Sequence, residues 1–452
     1  MSKQTTRSPS ARVAEFVAAL EFDGIDEELV RLAERCFVDT TGVLISGTEE
    51  PASRHARTLA AAEHDGGSAT VVGAEARAPA TAAVLANGTA AHAQDYDDVS
   101  WGMDGHPSAP LVVPILSVGE VEDVTGKAAL TAYVAGYETM CYLAAPIRPD
   151  HYERGWHATA TFGTLGAAVA TASLLDLSAT ETREALNIAA SMPAGLKKNF
   201  GSMTKPLHVG LAARSGVTAA KLAADGHTAD PSALGTDGGF LDLYSGESTP
   251  DLSAVPNLGT EWALAEEGIH VKKYPCCYFT HTSIAATIDL VSEHGIDPAA
   301  IQSIDVTASQ GAVDALAHDD PETPTQAKFS MPYTVSHAAL RGDVGLSAFE
   351  EPSLSDGDVR QLAERVSLTP DEQLPYSSHT ATVRIKTPDS VVDRTIENPP
   401  GTHERPLSDA ELHEKFRDCA ARVYSDTQVE TVLTQLDDLR EEASVASIAE
   451  SL

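Results

Sequence analysis

Between residues 11 and 225 apolar side chains recur at the spacing of helical faces, Ala and Gly are used heavily, and alternating β-branched runs are few. Such a stretch buries its surface by packing helix against helix with the axes close together. The clearest runs are 27–44, 126–145, 158–175 and 206–225, the last opening on Pro206 and closing on Gly226. Gly163, Gly166, Ala167, Gly210, Ala213 and Gly216 are small enough to let neighbouring axes approach. The most apolar window, 128–147, contains Glu138 together with Thr131, Gly136 and Thr139, and reads as a buried helix rather than a bilayer span.

A Gly, Asp, Ser and Pro-rich stretch at 230–256 interrupts this periodicity and reads as a connector between bodies of structure. Beyond it the pattern changes. Residues 303–308 alternate like a strand, and 380–387 with 390–397, split by Pro388-Asp389, read as a hairpin. Helical runs near 281–294 and 325–341 flank them. The S-x-x-E box at Ser408 and Glu411 then starts another helix. The expected fold is mainly α: a large all-helical domain formed by 1–268 plus 398–452, with a smaller α+β domain at 269–397 inserted in it.

The 452 residues carry 66 acidic and 31 basic side chains, a formal net charge of −35. A surface of that sign repels phosphate backbones and anionic lipid headgroups, which excludes nucleic-acid and membrane partners. The excess is spread along the chain, a pattern expected of a protein adapted to concentrated salt, as in a halophile, where carboxylates are screened. The five cysteines include no C-x-x-C pair, and the first twelve residues lack the apolar core of a signal peptide, so a reducing, cytoplasmic setting is expected.

Only 11 of the basic residues are lysines, and Lys197, Lys198, Lys205, Lys272, Lys273 and Lys328 fall in three segments rich in Gly, Pro and aromatic residues. In so acidic a chain, a local cationic cluster suggests a pocket for an anionic substrate; pairing with surface carboxylates is the plainer reading. Four further features bear on chemistry. In NGTAAHAQDYDD (87–98) and GHPSAP (105–110), Asp95, Asp97 and Asp98 lie a few residues from His106, so this loop could orient an imidazole, bind a cation or be a solvated acidic turn. In RGWHATATFG (154–163), His157 starts a helix, where the dipole favours the neutral imidazole, and Arg154 is close enough in sequence to share a ligand. Lys205 precedes Pro206, which puts an ammonium beside unsatisfied helix N–H groups. VKKYPCCYFTHTS (271–283) combines Lys272 and Lys273 with Tyr278 and His281, and its adjacent Cys276 and Cys277 read as packing residues.

Taken in order, these segments, with AKFSMPY (327–333) and ENPPGTHERPLSDAELHEKF (397–416), resemble the MmgE/PrpD family over nearly the whole chain. The resemblance implies a metal-independent homodimer without cofactor, whose active site lies between the helical domain and an α+β lid. Carried onto this sequence, its site falls at Asp95, His106, His157 and Lys205, and at Lys272, or Lys273 one position on, with His281; Lys205, Lys272 and Arg154 are then expected to clamp the carboxylates of a small polycarboxylate. It implies lyase chemistry: dehydration of 2-methylcitrate or a similar hydroxy-polycarboxylate, as in propionate catabolism. The alternatives are cis-aconitate decarboxylation and iminodisuccinate epimerisation. Val99 departs from the decarboxylase members, which carry a hydroxyl residue there.

Each of these reactions develops negative charge on carbon beside a carboxylate, and so needs a proton-transfer group and fixed cations. His106 and His157 divide the base and acid roles on this reading, and Asp95 orients one imidazole. Two other classes remain open from the residues alone: a helical binding or scaffold protein without turnover, and a metal-dependent hydrolase built on Asp95, Asp97, Asp98 and His106.

Overall fold

The computed structural model describes residues 8–63, 66–75, 77–253, 255 and 257–452. The first seven residues, most of the segment read for a signal peptide, lie outside the described residues, as does Pro256 at the end of the expected connector. The chain divides into two units, one made of residues 1–270 and 408–452, the other of 271–407.

The larger unit is helical. The helix Ala158–Leu174 is buried along all its residues but Ser173, as a segment apolar on every side must be. The helix Thr204–Ala224 packs against it and against Ala80–Ala93. These crossings are tight because the contact residues are small: a Cβ on Gly88 would lie 2.9 Å from the Gly210 Cα, and one on Gly210 would lie 2.3 Å from the Leu85 carbonyl oxygen. The approach brings the C-terminal end of Ala80–Ala93 and the first turns of Ala158–Leu174 and Thr204–Ala224 to one place. Around this trio stand Glu27–Gly47, Ala109–Glu122 and Gly126–Ala144. Glu138 is buried on the last of these, and its carboxylate accepts from the Ala263 and Leu264 N–H groups at 3.0 and 2.9 Å. Burial pushes it up to about 7. Among the described residues no helix is long and apolar enough to cross a membrane.

The C-terminal segment returns to this unit through the expected capping box at Ser408 and Glu411, and Asp409–Ala420 packs on Glu27–Gly47. The 230–256 stretch is not the connector expected of it. Phe240 and Leu241 are buried in the larger unit, the Tyr244 hydroxyl donates to the Pro193 carbonyl at 2.6 Å, and the Asp251 N–H donates to the Pro146 carbonyl at 2.8 Å.

In the smaller unit a four-stranded sheet runs in the order Val366–Pro370, Ser303–Ala308, Ala381–Lys386, Val391–Ile396, the first pair parallel and the others antiparallel. Ile304 faces Ile385 and Val306 faces Val383, all fully buried, so alternation puts one face inward. The strand at 366–370 was not foreseen. The helical run expected at 325–341 is two helices, because Ser330 caps Met331–Arg341 by accepting from the Tyr333 N–H. The second change of unit comes at Leu407 rather than after Glu397. The intervening loop belongs with the smaller unit: the Gly401 N–H donates to the Arg405 carbonyl at 2.8 Å, and a Cβ on Gly401 would meet the Val271 carbonyl oxygen at 1.9 Å.

Candidate active site

The polar cluster of the larger unit is assembled where its three central helices meet. His92 lies near the end of Ala80–Ala93. The chain then turns sharply through Asp95 at φ 55°, a left-handed conformation that Asp tolerates better than most residues. Two antiparallel bridges, Val99 with His270 and Ser100 with Gly105, shape the following loop. It is fixed further where the Thr159 hydroxyl accepts from the His106 N–H at 3.0 Å. His157 is the N-cap of Ala158–Leu174, held by its N–H to the Gly195 carbonyl at 3.1 Å. Thr204–Ala224 starts two residues earlier than expected, so Lys205 and His208 share its first turns.

These side chains answer one another. The Lys205 ammonium, in a residue only 5% exposed, donates to Asp95 Oδ1. His106 Nε2 stands 3.8 Å from the same oxygen, and its Nδ1 stands 3.3 Å from Asp97 Oδ2. His92 Nδ1 reaches the Asp97 carboxylate at 2.8 Å. The His92 ring is 4.5 Å from His106 and 5.5 Å from His157 between centroids, and Phe200 lies about equally close to His157 and to the Lys205 ammonium, at 5.0 and 5.1 Å.

Burial sets the protonation states. It pushes His92 down to about 3 and His157 well below the ordinary imidazole range, the latter helped by the neighbouring His92 and Lys205, so both rings are neutral near pH 7. For Asp97, burial acts upward, but the contacts with His106 and His92 outweigh it and hold the carboxyl well below its usual value. Asp98 behaves oppositely: burial, with Asp39 nearby, pushes it up to about 8, and it bonds Ser108. The Nε2 atoms of His92 and His157 are buried without a hydrogen-bond partner. His92, Asp95, Asp97 and His106 also offer ligand atoms all within 4.8 Å of one another, a donor set that suits a divalent transition metal in type. An ion there would have to displace the Lys205 ammonium from Asp95.

Of the expected residues, Asp95, His106, His157 and Lys205 therefore come together. Arg154 does not join them: it is exposed and lines a cavity of about 280 Å³ with Asp150, Glu153, Ser245, Glu247 and Ser248. Gly155, at φ 106°, turns the chain between it and His157, so nearness in sequence misleads. In the smaller unit Lys272 is 1% exposed and donates to the Cys276 carbonyl at 3.1 Å, whereas Lys273 points outward. His281 is buried, stacked on Tyr278 at 4.5 Å, with its Nε2 3.3 Å from that same Cys276 carbonyl. Each lysine-bearing segment thus buries one ammonium: Lys205, Lys272 and Lys328. Sequence reasoning missed His208, whose Nδ1 lies 3.0 Å from that of His157, and gave His92 no role. The signals available were the i, i+3 spacing from Lys205 and the five-residue interval from His92 to Asp97.

The MmgE/PrpD N-terminal domain matches residues 11–253 and the MmgE/PrpD C-terminal domain matches residues 274–439. The chain belongs to the MmgE/PrpD family. Within reach of it are curated relatives that are lyases by name. The cis-aconitate decarboxylase of Homo sapiens is 28% identical, covering 96% of this chain and 93% of that protein. That of Mus musculus is 27% identical, over 96% and 91%. The cis-aconitate decarboxylase of Aspergillus terreus is 25% identical, over 96% and 94%. This MmgE/PrpD chain is therefore matched along nearly its whole length.

Proposed function

We propose that this protein is a lyase acting on a small polycarboxylate, with decarboxylation of cis-aconitate or a similar unsaturated tricarboxylate as its reaction. The observation that carries the reading is the burial of a lysine ammonium and a neutral, unpartnered imidazole nitrogen, His157 Nε2, in one cluster. Lys205 supplies fixed positive charge for a substrate carboxylate against a molecule of net charge −35. Breaking the bond to the departing carboxylate leaves an electron pair spread over the adjoining double bond. A proton is then delivered to carbon. His106, flanked by Asp95 and Asp97, is placed to give such a proton, and neutral His157 to take the proton of the departing carboxyl group, which loses CO₂ only once it is ionised. The names of the relatives support decarboxylation over the other lyase reactions.

A second reading is dehydration of 2-methylcitrate or a similar hydroxy-polycarboxylate, in which one imidazole removes a proton from carbon and another protonates the departing hydroxyl. It is favoured by Val99, a buried apolar side chain where the decarboxylase pattern has a hydroxyl. Purified protein incubated in concentrated KCl with cis-aconitate, 2-methylcitrate or citrate, while double-bond absorbance and CO₂ are followed, separates the two. CO₂ release from cis-aconitate is expected. Loss of water from 2-methylcitrate without CO₂ would replace the first reading by the second, and turnover of none of the three would reject both.

A further inference from the structure

His157 and His208 approach through like atoms, Nδ1 to Nδ1 at 3.0 Å, with ring centroids 5.2 Å apart. Two such nitrogens at hydrogen-bond distance share a single proton. Two lone pairs, or two N–H groups, would repel each other, and neither arrangement keeps this distance. The neutral rings must therefore be opposite tautomers: one protonated at Nδ1 with a bare Nε2, the other bare at Nδ1 and protonated at Nε2.

The surroundings hold the rings in this relation. Gly195, at φ 136°, passes behind both, and a Cβ there would lie 3.4 Å from His157 Cβ and 3.4 Å from His208 Nδ1. Phe200 stands edge-on to the His157 ring at an interplanar angle of 82°, and His92 stacks on it at 28°. Burial, together with Lys205 on the same helical turn, disfavours a resting positive charge on either ring.

We infer that His208 is a positioning residue for the proton-transfer step: it accepts the Nδ1 proton of His157 and so keeps His157 Nε2 bare, ready to take a proton from substrate. The inference rests on the proposed proton-handling role of His157 and deepens it. When Nε2 of His157 takes a proton, its Nδ1 proton can pass to Nδ1 of His208. The Nε2–H bond on His157 then forms as its Nδ1–H bond breaks, and the positive charge moves to His208. His208 is the more exposed of the two, 7% against 2%, and can return a proton to water from its own Nε2. No oxidation state changes, and the pair is left with its tautomers exchanged; the reverse shift, in which His157 Nε2 gives its proton back to the site and His208 Nε2 regains one from water, restores the bare His157 Nε2.

The test uses full-length protein labelled with ¹⁵N at histidine, read as ring-nitrogen spectra at neutral pH, with the His157 signals assigned by comparison with His157→Gln. In the native chain His157 is expected as the Nδ1–H tautomer. His208→Leu removes the acceptor and should move His157 toward the Nε2–H tautomer, while kcat falls about 10- to 100-fold and KM changes less than about threefold. His208→Asn, whose side-chain amide can stand near the lost Nδ1, should restore the tautomer. If His208→Leu does not fold, His208→Phe, which also lacks an acceptor and fills the space of the ring, carries the same spectral test. A native His157 in the Nε2–H tautomer, or one whose spectrum is indifferent to residue 208, overturns the inference. A His157 tautomer that follows residue 208 in a protein that turns over none of the three substrates would leave the pairing standing and reject the function.

Discussion

The two units bury cations and imidazoles in different ways. In the larger unit Lys205, Asp95, His106, Asp97 and His92 reach one another through side chains drawn from two helices and a loop. In the smaller unit Lys272 and His281 both turn to the Cys276 carbonyl, within ten residues of chain. A group satisfied by its neighbours' side chains can be re-paired by a ligand. One anchored to nearby backbone mainly holds a turn in shape. The first arrangement therefore predicts effects on turnover, and the second predicts effects on stability.

The largest effect should come from His157→Ala, which removes the neutral imidazole. Turnover should fall about 10²-fold or more in protein that is still folded by circular dichroism; a native rate would take His157 out of the chemistry. Lys205→Met is next. It leaves the Asp95 carboxylate buried without its ammonium, so stability should drop by about 3–5 kcal/mol in urea unfolding as substrate binding weakens. Adding Asp95→Asn should recover much of that stability and none of the activity, which separates the charge pair's structural share from its chemical one.

Lys272→Met sharpens the contrast from the other side. Losing one charge-assisted bond to a backbone carbonyl should cost about 1.5–3 kcal/mol, with kcat held within about threefold. A hundredfold loss of turnover at unchanged stability would break the distinction between the units and give Lys272 the substrate-binding role its sequence segment suggests.

Much of this architecture could be read from the chain, and the reasons are local. Ser408 and Glu411 announce a helix start because both partners of the capping box lie within one turn. The strands 303–308 and 381–386 alternate because one face is buried, and 391–396 alternates exposed with half-buried residues. The 366–370 strand escaped notice because it is an edge strand, largely half-exposed to exposed, and lacks that alternation. The site was legible where proximity in sequence coincided with proximity in space, as with Asp95 and His106. Where a crossing of helices supplies the contact, the residues alone said less: Lys205 and His157 entered the site through the family resemblance, and His208 was missed. His208 meets His157 where the intervening chain, at Gly195, passes behind both rings. Arg154 shows the converse, since only two residues separate it from His157 and a left-handed glycine sends it to the surface.

A smaller, pH-dependent effect should distinguish Asp98 from Asp97 next to it. With its folded value raised to about 8, Asp98 keeps a proton that the unfolded chain has released above about pH 4. Its contribution to stability is complete below that lower value and declines as pH rises through the upper one. Asp98→Asn should therefore gain on the native chain as urea midpoints are compared from pH 5 to pH 8. A constant difference would mean that Asp98 is ionised throughout. Least in size, and general to both units, a net charge of −35 should make the melting temperature climb with KCl; a flat profile would show that mutual repulsion costs this fold little.

Lys415 has a consequence for how the molecule comes into being. It is buried on Asp409–Ala420, stands 2.6 Å from Asp39, and donates to the Tyr96 carbonyl at 2.9 Å, one residue beyond Asp95. The loop that carries Asp95 is thus pinned by a side chain the ribosome adds 320 residues later. A growing chain can pack its early helices yet lacks this pin until residue 415 has been added, so the loop takes its final form only after the smaller unit has been made.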